Sequence, residues 1–126
     1  MSKISLDRLE KALGTLKQGY KLNPSELERD GLIQRFEYSV ELCWKTAKKV
    51  LLNSGIQVDS PKNVVRELAN LDWIDNPEDW IDYIDKRNET SHIYNEEVAS
   101  RIFSVIGKFI GDSEKLLNSL KEKINE

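Results

Sequence analysis

Residues 25–54 read SELERDGLIQRFEYSVELCWKTAKKVLLNS, the longest periodic segment of the chain. Ile33, Phe36, Val40, Cys43, Ala47 and the pair Val50-Leu51 recur at steps of three and four, which puts them on one helical face with Trp44 beside them. Cys43 sits in the middle of that face and reads as a small buried hydrophobe rather than a reactive thiol. Lys45, Lys48 and Lys49 lie opposite the stripe, as a solvated face or as a contact for RNA. Asn53-Ser54-Gly55 ends the helix, glycine being favoured just past a helix C-terminus.

On the N-terminal side, Leu6, Leu9, Leu13, Leu16 and Tyr20 form a second apolar stripe, and Asn23-Pro24-Ser25 breaks it. On the C-terminal side, Ser60-Pro61 pairs a serine cap with a proline at the first helical position, opening a short helix through Val64, Val65 and Leu68 that ends near Leu71. Asn76-Pro77-Glu78-Asp79 repeats the device ahead of Trp80, Ile81 and Ile84, with Trp73 and Trp80 as packing anchors around the turn. Asn95 caps a last long helix whose stripe runs through Val98, Ile102, Val105-Ile106, Phe109, Leu116-Leu117, Leu120 and Ile124. Gly107 and Gly111, four apart, mark close approach of another helix. No strand pattern, internal repeat, linker or Gly-rich phosphate loop interrupts this order. The expectation is an all-α, up-and-down bundle of about five helices (first, second and fifth long, two short between) in one domain spanning 1–126.

Of the 126 residues 33% are charged, and the formal net charge is −3. Duplex-coating proteins carry a positive footprint that this balance lacks, although a catalyst that touches RNA briefly needs only local cations. One cysteine and one histidine cannot complete an intrachain disulfide or a zinc set, and neither metal nor cofactor is expected. The opening Met-Ser-Lys-Ile-Ser-Leu lacks the apolar run of a signal peptide, and no eighteen-residue apolar run occurs, so the expected compartment is the cytoplasm, with no membrane role.

The chemistry is concentrated in Asp85-Lys86-Arg87-Asn88-Glu89-Thr90-Ser91-His92-Ile93-Tyr94-Asn95. His92 is the only histidine, the one side chain that takes and gives a proton near neutrality. Arg87 supplies a permanent cation with a planar fork suited to phosphate oxygens, and together the two suggest work on a phosphodiester. The residues alone also allow a plainer reading, in which a histidine near a helix end caps or packs. On an unbroken helix five residues turn about 500° and rise roughly 7.5 Å, so Arg87 and His92 would point apart. Either the helix ends between them, with Thr90-Ser91 as the place, or the partner groups come from a second copy of the chain.

The spacing Arg87-x4-His92-x-Tyr94 resembles the R-x4–6-H motif of HEPN domains, in the form extended by a tyrosine two past the histidine. The blocks running from Gly31 past Tyr38 through Trp44-Lys45, and from Ser60-Pro61-Lys62 through Arg66-Glu67, are similar to further blocks of one HEPN subfamily, the nucleotidyltransferase substrate-binding proteins. The resemblance covers roughly residues 4 to 120. It implies a helical-bundle homodimer paired with an MNT-type nucleotidyltransferase as toxin and antitoxin. It further implies a metal-independent ribonuclease silenced by AMP transfer (AMPylation) to the motif tyrosine. By that resemblance Arg87 and His92 are catalytic and Tyr94 is the modification site. The chemistry of cleavage itself adds Asn88 and Ser91 as supporting groups, donating to phosphate or holding the imidazole tautomer. The wider toxin motif often has an acid directly after the tyrosine, where this chain has Asn95. The alternative expectation is a non-catalytic partner subunit that presents a substrate or a tyrosine to the nucleotidyltransferase.

Overall fold

The structure is a computed structural model that describes residues 4–22 and 24–125; Asn23 of the expected break lies outside the described residues. Its helices are α1 (Asp7–Lys21), α2 (Glu26–Asn53), α3 (Pro61–Asn70), α4 (Pro77–Asn88) and α5 (Glu96–Ile124), with a 3₁₀ turn at Thr90–His92. The expected all-α bundle, with long first, second and fifth helices, is what forms. Arg8 reaches Tyr38 and Gly19 lies against Leu32, so α1 runs antiparallel to α2. Tyr20 packs on Phe103 while Glu10 pairs with Lys121, which sets α1 antiparallel to α5 as well.

Local chemistry explains where the elements start and stop. The Ser25 side chain accepts from the Glu28 backbone N–H and Glu28 returns a bond to the Ser25 backbone, a capping box at the start of α2. Gly55 stops α2 with φ at +85°, a conformation that side chains with a Cβ resist. The Ser60 hydroxyl accepts from the Asn63 backbone N–H, and Pro61 opens α3 as expected. Asn76 departs from expectation. Its side chain makes no cap; the amide nitrogen donates to Asp79 and Asp112 instead, tying the start of α4 to α5.

The stripe of α2 is buried along its length, and Cys43 is fully enclosed, with burial pushing its thiol well above the ordinary range. Trp80, Tyr83 and Ile84 turn α4 onto the core. Phe109 of α5 receives Phe36, Trp80 and Tyr83 edge-on, at centroid distances of 5.2, 5.8 and 5.2 Å. Such tilted contacts match the ring quadrupoles and fix the rotation of α4 about its axis. Of the two glycines read as close approaches, only Gly107 is one: a Cβ there would come 2.8 Å from Tyr20 Oη, whereas at Gly111 it would meet nothing within 4 Å.

Candidate functional site

The face that α4 buries decides which way its last turn points. With Tyr83 and Ile84 inward, Arg87 emerges beside α2, its side chain 31% exposed. There its Nε lies 2.8 Å from Glu41 Oε1, an ion-pair contact without hydrogen-bond alignment, and Glu37 Oε2 stands 4.0 Å from the guanidinium. Burial disfavours charge on Glu41. The Trp44 indole N–H at 3.0 Å, the Lys45 ammonium at 3.2 Å and Arg87 nevertheless hold its carboxyl below the ordinary value.

The helix ends between Arg87 and His92, one of the two outcomes that their spacing allowed. Asn88 is the last residue of α4, Glu89 closes it, and the 3₁₀ turn follows. Thr90 is the buried residue of that turn; its Oγ1 lies 2.8 Å from the Arg87 carbonyl oxygen and 2.9 Å from Glu37 Oε2. The hydroxyl competes for a backbone acceptor and pins the turn to α2 through Glu37. Ile93 packs against the core between two neighbours that stay exposed, His92 and Tyr94. Asn95 then caps α5, its Oδ1 accepting from the backbone N–H groups of Glu97 and Val98. Arg29 grips Glu96 with two bonds, of 2.6 and 3.0 Å, and fixes the far side of the turn. That contact holds the Glu96 carboxyl below its ordinary value.

The expected residues therefore fall into two groups. His92 and Tyr94 meet: Nδ1 and Oη are 3.2 Å apart, and Tyr94 is 84% exposed. Arg87 instead joins Glu41 and Glu37, and no hydrogen bond or ring contact among the described residues links it to His92. Asn88 and Ser91 are exposed, and neither side chain makes a hydrogen bond among the described residues. Sequence reasoning missed Glu37, Glu41 and the inward role of Thr90. Their signals were slight: two acids four apart on the polar face of α2, and a threonine read only as a helix stop.

Arg87 also closes one end of a groove of about 710 Å³ along the outer face of α2, floored by Tyr38, Leu42, Trp44 and Leu52. Among the described residues no cluster of three or more His, Cys, Asp or Glu is placed to hold a metal, and no helix is long and apolar enough to cross a membrane. An exposed imidazole can move a proton, an exposed phenol can accept a transferred group, and a half-exposed guanidinium can face an anion.

The sequence matches the family described as "Nucleotidyltransferase substrate binding protein like" over residues 4–122. It is 34% identical over 98 residues to a Haemophilus influenzae protein named "Probable ribonuclease HepT", covering 74% of this chain and 67% of that protein. A crystal structure of a Thermus thermophilus protein is similar at TM-score 0.84 and 35% identity, covering 89% of this chain and 98% of that one. A second structure, from Haemophilus influenzae, is described as revealing the fold of a substrate-binding domain of a nucleotidyltransferase. It is similar at TM-score 0.80 and 28% identity, covering 93% and 99% of the two chains.

Proposed function

The chain belongs to the HEPN-type nucleotidyltransferase substrate-binding proteins, and from that premise we propose that it is the toxin of a toxin–antitoxin pair. In this reading it is a cytoplasmic, metal-independent endoribonuclease that acts as a homodimer and is silenced when a cognate MNT-type nucleotidyltransferase transfers AMP to Tyr94. The observation that carries the reading is the contact of Tyr94 Oη with His92 Nδ1 on an exposed turn. It joins an acceptor for a transferred group to a proton carrier.

In cleavage, His92 takes the proton from a ribose 2′-hydroxyl, the 2′-oxygen attacks the adjacent phosphorus, and the bond to the 5′-oxygen breaks. Arg87 faces the negative charge that grows on the phosphate oxygens. One imidazole cannot be base and acid in the same step. The leaving 5′-oxygen therefore receives its proton from the His92 of a second copy, which also answers the absence of a contact between Arg87 and His92 within one chain. AMP on Tyr94 would place a bulky anion against His92 and exclude the RNA by volume and charge.

The test is direct. His92→Ala should abolish both growth inhibition in cells and RNA cleavage by purified protein, and Arg87→Ala should do nearly the same. Full toxicity in His92→Ala would overturn the proposal. The competing reading, a non-catalytic subunit that presents Tyr94 to the transferase, draws on Asn95, whose side chain is spent on capping α5. It predicts no RNA cleavage by the unmodified dimer while the transferase still binds.

A further inference from the structure

The groove that ends at Arg87 is positive on a chain that is negative overall. Five cations border it (Arg8, Lys45, Lys48, Lys49 and Arg87) against two carboxylates, Glu37 and Glu41. That is a local excess of three positive charges on a chain whose formal net charge is −3. Glu41 answers Lys45 and Arg87, and Lys48 stands 3.9 Å from Asp59. Lys49 and Arg8 have no ion pair among the described residues. Between the cations lie aromatic surfaces: the Trp44 ring is anchored by its N–H to Glu41, and Tyr38 is half-exposed with its hydroxyl bonded to Arg8.

Charge chooses the occupant. A second copy docked here across a two-fold axis would bring the same positive excess against itself, and like charges brought together oppose association. A single RNA strand brings one negative charge and one flat base per nucleotide, which is what cations interleaved with aromatic rings hold. We propose that this groove seats the unpaired RNA segment flanking the cleaved bond, with Lys48 and Lys49 on its phosphates and a base against Trp44. The inference rests on the ribonuclease reading and deepens it: Arg87 at the groove's end is where the strand passes into the cleaving site.

The experiment measures binding without cleavage. Full-length His92→Ala protein is titrated with a labelled oligouridylate of about ten nucleotides, with and without the added changes Lys48→Gln and Lys49→Gln. At 0.1 M salt the loss of two phosphate contacts should weaken binding roughly 10–30-fold and flatten the slope of log affinity against log salt by about 1.4. Lys48→Arg with Lys49→Arg should restore both. Unchanged affinity and slope, in a protein whose wild type cleaves RNA, would overturn the groove and leave the ribonuclease standing. Loss of self-association in the glutamine variant, or loss of transferase binding with RNA affinity intact, would assign the face to a protein and overturn it too. A wild type that neither binds nor cleaves RNA would remove both inferences together.

Discussion

His92 and Tyr94 meet through Nδ1 and Oη at 3.2 Å, their ring planes inclined by 77°, on a turn held from beneath by Ile93. The contact is exposed, so it contributes little to stability, and the proposed function is what gives it weight. Tyr94→Phe keeps the ring and removes the oxygen. Co-expressed with the cognate transferase, wild-type protein should gain AMP increments by intact mass, and Tyr94→Phe none. The variant should remain toxic in the presence of the transferase. Cleavage should slow by no more than about tenfold, the worth of one neutral hydrogen bond. Increments persisting on the phenylalanine variant would remove Tyr94 as the modification site.

Glu41 ties the guanidinium of Arg87 to α2, and its carboxyl is held below the ordinary value of 4.5. A depressed carboxyl stabilises the fold above that ordinary value and ceases to do so as pH falls through its folded one. Wild type should therefore exceed Glu41→Gln by about 1 kcal/mol in urea unfolding at neutral pH, the scale of a partly buried charged contact. The gap should hold down to about pH 5 and close at lower pH. A gap that widened on acidification would mean that Arg87 does not stabilise the carboxylate. In activity the same variant, with Arg87 left to Glu37 alone, should lose more in kcat than in KM.

The bundle was legible because its information is periodic and local. The stripes of α1, α2 and α5 reach their burial with few exceptions, and the stops at Gly55 and Ser60-Pro61 are written in single residues. The candidate site was legible only as a motif. Arg87, His92 and Tyr94 share eight residues of chain, yet their partners come from different distances: Tyr94 for His92, but Glu41 and Glu37 for Arg87, about fifty residues away. Such pairings depend on how α4 rotates on Phe109, which no window of sequence contains. Asn76 fits the same account, since its cap was lost to Asp112, an acceptor 36 residues on. Tyr83, flanked by Asp82 and Ile84, joins the core because Asp112, 29 residues on, accepts from its hydroxyl.

The two α5 glycines separate propensity from packing. At Gly111 a Cβ meets nothing, so Gly111→Ala should stabilise by about 0.5–1 kcal/mol through helix propensity alone. At Gly107 the same change presses on Tyr20 Oη, the tip of a side chain that also stacks on Phe103. The propensity gain is there offset by displacing that ring, and the net should lie within about 0.5 kcal/mol of zero. Thermal unfolding of the two variants side by side checks the ordering. A clear loss of stability at Gly111 would mean that another surface covers it in solution.

Tyr83 tests how α4 is held. It is almost fully buried, donates its hydroxyl to Asp112 Oδ2, and lies one turn before Arg87. Burial, with Asp112 beside it, pushes the phenol well above its ordinary range, so it stays a donor throughout the working pH range. Tyr83→Phe keeps the edge contacts with Trp80 and Phe109 but leaves Asp112 with the Asn76 amide as its one hydrogen-bond donor among the described residues. A hydrogen bond to a carboxylate contributes about 1.5–3 kcal/mol, and urea unfolding should show a loss near 2 kcal/mol with an unchanged slope. Because the ring sets the rotation of α4, RNA cleavage should be unaffected while the protein is folded. Tyr83→Leu removes the ring as well; it should destabilise further, by about 3–5 kcal/mol in all, and lower cleavage in the fraction still folded by releasing Arg87 from Glu41. If Tyr83→Phe proved neutral, water would be serving Asp112 in its place, and if Tyr83→Leu kept full activity, the setting of Arg87 would not depend on this ring.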